Sequence, residues 1–151
     1  MVRGAHFRSF SHSSKTKMAK NYYLVDASGK ILGRLAVEIS QIISGRNKKS
    51  FSPNIDGGDF AVVINSDRIV VTGDKRNGKI YHRFSGYPSG ITSIKFKDQM
   101  KNDSRETIRK AVYGMLPKNK LRKKMMNRML VYKDNQYDKK LKIINNKSSN
   151  N

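Results

Sequence analysis

The chain has 151 residues, enough for one domain with a modest core, and 36% of them are hydrophobic. Thirty-two Lys and Arg against eleven Asp and Glu leave a formal net charge of +21, which calls for a polyanionic partner: nucleic acid or an anionic membrane surface. There is no Cys, which excludes disulfides and thiolate metal sites, and no apolar run reaches the roughly 18 residues of a membrane span.

The first 25 residues contain no acid and are rich in Ser, Lys and Arg. Organelle transit peptides share that composition, as do basic arms that lie on RNA. The lack of a clear amphipathic helix favours an arm over residues 1–21. Tyr22–Val25 reads as a short buried strand ending at the turn Asp26–Gly29. Over Ile31–Ser44, Leu32, Leu35, Ala36, Ile39, Ile42 and Ile43 recur at helical spacing, and Gly45 suits a C-terminal cap. A basic loop follows, then Asp59–Asn65, apolar on both faces like a central strand. Ile69–Thr72 predicts a third strand. Asn77-Gly78 is a hairpin signal leading into an edge strand over Lys79–Arg83. FSGYPSG, residues 84–90, is a glycine-rich loop, and Ile91–Lys101 is ambiguous. Asp103–Leu116 predicts the strongest helix, with Asp103 and Glu106 spaced as a capping box and an apolar stripe of Ile108, Ala111, Val112, Met115 and Leu116. Pro117 stops it. Helix resumes within Asn119–Asn127, and Met129–Tyr132 is a last strand. The polar tail, 134–151, has little to bury. Alternating strands and helices predict an α/β layered domain over 22–133.

Gly73–Lys79 matches most of a phosphate-binding GxxxxGK loop. The match fails chemically. Ile80 follows Lys79, so no hydroxyl is offered to magnesium, and KIYHRF reads as a strand where a helix N-terminus is needed. Gly29–Gly33 lacks the first two glycines of the dinucleotide fingerprint. Asp56 and Asp59 flank Gly57-Gly58. Paired carboxylates can bind metal or share acid–base roles, yet in a glycine turn beside a basic run they read as residues that bond backbone amides or pair with a base. His6, His12 and His82 have no metal-ligand spacing. These readings yield no catalytic, metal or cofactor site.

The cationic segments are the strong signal. Besides the arm there are Arg46, Lys48 and Lys49; then Lys75, Arg76, Lys79, His82 and Arg83; then Lys118, Lys120, Arg122, Lys123, Lys124 and Arg128. Between Lys118 and Arg128 lie six basic residues and no acid. Phe84 and Tyr87 are placed to stack on unpaired bases. Together these form the expected RNA-binding set. A helix, a Pro turn and a basic helix in succession also resemble helix-turn-helix, so a DNA-binding or nucleoid protein is the alternative.

LVDASGKILGRLAVEIS, SPNIDGGDFAVVINSDRIVVTGDK, KIYHRFSGYPSG and KAVYGMLPKNKLRKKMMNRMLVY follow one another between Tyr22 and Tyr132. Together they resemble the bacterial-type large-subunit ribosomal protein L-thirteen family. The family pattern differs at Tyr22 (usually Trp), Asn54 (usually His), Phe84 (usually His) and Ser89 (usually Gly). The resemblance implies a three-layer α/β domain, with a small, mainly parallel central sheet flanked by helices. It implies a structural protein that binds large-subunit rRNA early in assembly and touches neighbouring ribosomal proteins. No enzymatic activity, cofactor, small-molecule substrate, membrane or homo-oligomer is expected. The expected location is a bacterial-type cytoplasmic ribosome, with a mitochondrial or plastid ribosome as the alternative.

Overall fold

The computed structural model describes residues 20–137 and 143–144. In chain order the elements are β1 (Tyr22–Asp26), α1 (Leu32–Ser44), β2 (Phe60–Ile64), a 3-10 turn (Ser66–Arg68), α2 (Lys75–Gly78), β3 (Ile80–Phe84), β4 (Ile91–Lys95), α3 (Phe96–Met115), α4 (Arg122–Met126), β5 (Met129–Val131) and β6 (Ile143–Ile144). The expected arm falls almost wholly outside the described residues, as does most of the expected tail.

β5, β2, β1 and β6 lie side by side in that order, every pairing parallel. Register places Tyr23, Ala61 and Met129 in one row and Val25, Val63 and Val131 in the next. Side chains alternate across a strand, so these six share one face. That face packs against Leu35, Ile39 and Ile43 of α1, Ile108 and Val112 of α3, and Met125 of α4 in one core. On the opposite face Val62 and Ile64 are buried too, as suits a central strand covered on both sides. Burial of an aliphatic side chain contributes about 1.5–3 kcal/mol, against about 0–1 kcal/mol for an exposed ion pair. The apolar stripe of α1 therefore anchors it far more than the Lys30–Glu38 pair at 2.9 Å does.

Two expectations need correcting. Ile69–Thr72 is not a strand. Only Val70 makes a bridge, to Ile31, and its carbonyl accepts the Leu32 N–H at 2.9 Å, serving one of the open donors at the start of α1. Asn77-Gly78 is not a hairpin turn. It closes the single helical turn of α2, with Gly78 N–H donating to the Asp74 carbonyl at 2.9 Å. The hairpin is instead β3 with β4, a separate antiparallel ribbon closed by residues 85–90. The ambiguous stretch thus resolves into β4 and the start of α3.

α3 is two helical pieces. Asp103, at φ −153° and ψ 101°, breaks the helical path between them. Its Oδ1 accepts the Arg105 N–H at 3.1 Å, so it caps the second piece. Arg105 folds back to hold that carboxylate, with Nε 2.9 Å from Oδ1. The capping-box geometry is half realised: the Asp103 cap forms, while the side chain that holds it is Arg105 and not Glu106. The Arg105 side-chain hydrogen bond, against a weaker effect of burial, keeps the Asp103 carboxyl below its ordinary value. Such a group stabilises the fold above the unfolded carboxyl's range, and loses that contribution as pH falls through its lowered folded value.

At Gly58 an added Cβ would lie 1.9 Å from the Ile43 carbonyl oxygen. At Gly33, inside α1, nothing lies within 4 Å. Gly58→Ala is expected to cost about 3 kcal/mol or more, since backbone must move. Gly33→Ala should be neutral or stabilising by up to about 1 kcal/mol. Thermal or urea unfolding of the two variants checks this contrast. Asp103→Ala should cost about 1 kcal/mol at neutral pH. Its deficit against the parent should shrink when unfolding is repeated in acid, below the usual carboxylate range.

Candidate nucleic-acid interface

The basic stretch after Pro117 is held at both ends by arginines that turn inward. Arg122 donates from Nη2 to the Leu116 carbonyl at 2.7 Å and from Nε to the Pro117 carbonyl at 3.1 Å. Its guanidinium also lies 4.3 Å from the centre of the Tyr113 ring. Both carbonyls lie just past the end of α3 at Met115, so Arg122 satisfies backbone acceptors at the Pro117 turn and places its charge near the helix C-terminus.

The sequence expectation puts Arg128 on the RNA-facing surface; the structure buries it to 3% exposure. Its Nη2 donates to the Ile43 carbonyl at 2.6 Å, near the end of α1. Nη1 sits 2.6 Å from Asp56 Oδ1, out of hydrogen-bond alignment, so that contact is an ion pair only. Arg128 is thus a structural cation, and Asp56 takes the base-paired role expected of it. Asp59, also buried, accepts from Lys48 Nζ at 2.7 Å and from the Asn21 N–H at 3.0 Å. Lys48 further donates to the Gly57 carbonyl at 3.0 Å. Most of its charge is thereby engaged within the loop.

The remaining cations of the expected set face outward. Lys118, Lys120, Lys123 and Lys124 are exposed, and the first three line a groove of about 600 Å³ together with Tyr113 and Arg122. Arg46 and Lys49 are exposed on the loop after α1. Lys75 and Lys79 line a second groove beside Lys110. The Lys79 and Lys110 ammoniums stand 5.2 and 4.8 Å from the centre of the Tyr81 ring. Burial pushes the Tyr81 hydroxyl pKa up.

The β3–β4 ribbon carries the expected aromatics. Phe84 is 66% exposed and Tyr87 is 76% exposed. Cross-strand pairing sets Phe84 opposite Ile91, and His82 Nδ1 meets Ser93 Oγ at 2.8 Å. Arg83 is exposed, opposite Thr92. At the tip Gly90 N–H donates to the Tyr87 carbonyl at 3.0 Å, and Gly86 has φ 93°. Ser89 has φ 62°, a left-handed value that glycine adopts with less strain. The expected set therefore falls into separate surface groups, with Arg128 inside. Lys110 and Tyr113 join the groups without having been expected. Their spacing from Lys118 and Lys79 becomes informative only once α3 is folded back on the ribbon. Among the described residues no cluster of His, Asp and Glu suits a metal ion, and no helix is long and apolar enough to cross a membrane.

Fold and surface define a class: a small α/β protein with one parallel-sheet core and an exterior of solvent-facing lysines and aromatics suited to a polyanion. The chain belongs to the ribosomal protein L13 family, whose model, Ribosomal protein L13, matches residues 20–138. It is 49% identical over 113 residues to the large ribosomal subunit protein uL13 of Clostridioides difficile (strain 630), covering 75% of this chain and 79% of that protein. Identity to uL13 of Chloroflexus aggregans is 42% over 121 residues, 80% of this chain and 85% of that protein. With uL13 of Buchnera aphidicola subsp. Cinara cedri it is 44% over 131 residues, 87% and 92% of the two chains.

Arg128→Ala should lower stability by about 3 kcal/mol, because it leaves Asp56 and the Ile43 carbonyl without their partner. Lys123→Gln with Lys124→Gln should leave it unchanged within about 0.5 kcal/mol. Equilibrium unfolding in urea distinguishes the buried arginine from the exposed lysines.

Proposed function

We propose that this protein is a structural, non-enzymatic constituent of the large ribosomal subunit that binds and stabilises large-subunit rRNA during assembly. What carries the reading is family membership together with exposed lysines on a rigid base. Lys118, Lys120, Lys123 and Lys124 project from a segment that Arg122 and Arg128 fasten to two helix ends. A fastened cation loses little further freedom on meeting a phosphate, so more of the electrostatic gain survives as affinity. Exposed lysines act as point charges toward phosphates, giving position more than base choice. Phe84 and Tyr87 supply stacking faces for unpaired bases. The protein's place is the ribosome, among rRNA and neighbouring ribosomal proteins, as the names of its relatives imply.

The helix-turn-helix alternative loses its ground. α4 has five residues, too short to serve as a recognition helix in a major groove, and Met125 on it faces the core.

Binding to large-subunit rRNA should weaken steeply with salt, with log affinity falling about 0.7 to 0.9 per phosphate contact for each unit rise in log salt. The triple variant Lys120→Gln, Lys123→Gln, Lys124→Gln should flatten that slope by about 2 and keep the parent's unfolding midpoint. Filter binding across a salt series reads both. A parent affinity indifferent to salt would sink the reading, as would co-sedimentation with chromosomal DNA in place of large subunits.

A further inference from the structure

A further cationic hollow lies apart from the groove after Pro117, and the two share no lining residue. It is a cleft of about 480 Å³ between the segment that follows the 3-10 turn, α2, the start of α3 and the chain just past β5. Arg76, Lys97, Lys101 and Lys133 line it, all four exposed. Ile69 and Met100 contribute apolar lining. Lys97 and Lys101 stand four residues apart, one turn of α3, and so share a face.

Two features make this more than a solvated charge run. The first is rigidity at its base. Phe96, 3% exposed, lines the cleft, and its N–H donates to the Lys79 carbonyl at 2.8 Å. The second is charge imbalance. Among the described residues none of the four cations is ion-paired. The one acid in the lining, Asp67, accepts a hydrogen bond from Ser104, whose hydroxyl also meets that of buried Ser66. The nearby Asp103 is held by Arg105. Cations outnumber acid in the lining four to one.

We propose that this cleft binds the sugar–phosphate backbone of large-subunit rRNA, with Arg76, Lys97, Lys101 and Lys133 on the phosphates and the apolar lining against ribose. The proposal rests on the ribosomal reading above and adds a second contact to it. A polynucleotide delivers one charge per nucleotide with a weakly polar sugar face between charges, which matches cations set around an apolar floor. Arg76 brings a fork for two phosphate oxygens, and the lysines bring point charges. An acidic protein segment is the competing occupant, and the test separates the two.

The chain has no Cys, so a single introduced thiol reports from one place. Val70 lines the cleft, is 46% exposed and carries none of the charge. Val70→Cys, bearing a thiol-linked photocrosslinker and reconstituted into large subunits, should crosslink to rRNA. A crosslink to ribosomal protein alone, or none in fully assembled subunits, overturns the proposal. Separately, Lys97→Gln, Lys101→Gln, Lys133→Gln should flatten the salt slope of rRNA binding by about 2 while the unfolding midpoint holds. An unchanged slope in the folded variant also overturns it, and leaves the ribosomal reading intact if the parent still binds. Loss of salt-dependent binding in the parent itself would strike at that reading.

Discussion

The carbonyls at the end of α1 must be satisfied inside the protein, and much of the structure is arranged around that need. A helix leaves its last four acceptors without helical partners. Here Gly45 N–H reaches the Gln41 and Ile42 carbonyls, Asp59 N–H reaches Ile42, and the Arg128 guanidinium reaches Ile43. Gly45 is the helix's own cap, while Asp59 and Arg128 come from distant parts of the chain. Their meeting fixes where the loop after α1 turns, where β2 begins and how β5 enters the sheet. Gly58 is glycine because the loop passes against the Ile43 carbonyl, leaving no room for a side chain.

That constraint explains a division of labour within the cationic stretch. The guanidinium of Arg122 reaches carbonyls just past α3 and that of Arg128 a carbonyl in the last turn of α1, where a planar fork can serve carbonyls and a carboxylate or aromatic ring together. The four lysines between Lys118 and Lys124 have no such geometry to offer and stay in solvent. The arginines hold the segment, and the lysines present its charge. A run that reads in sequence as uniform positive charge is two kinds of residue with opposite orientations.

Helix and strand periodicity was legible wherever burial enforced it. The six residues of the predicted apolar stripe on the first helix are all buried, Val37 off that stripe is exposed, and Gly45 caps the helix with φ 79°. The strands DFAVVIN and MLVY lie in the sheet as their apolar runs suggest. Local readings failed where tertiary contacts compete with local propensity. Asn77-Gly78 carries a strong turn preference, yet it completes one helical turn that delivers Lys79 to Phe96. The alternation of Ile91–Lys95 is weak because the ribbon's outer face is solvent, with Ile91 and Phe84 exposed. Lys97 and Lys101 belong to the start of α3, and without that boundary their one-turn spacing carries no meaning.

By itself the sequence determined the α/β class, the apolar faces, the positive excess and the order of motifs that marks the family. Each of these depends on composition or on spacing along the chain, and such quantities survive without coordinates. Tertiary structure alone decided which charges are spent and which are free. Asp56 and Asp59 sit beside basic residues in sequence, yet Asp56 pairs with Arg128, far along the chain, while Asp59 holds Lys48. Whether a cation faces a carbonyl, a carboxylate or water depends on what the fold brings within a few ångströms. The cleft among Arg76, Lys97, Lys101 and Lys133 exists only because α2, α3 and the end of β5 converge.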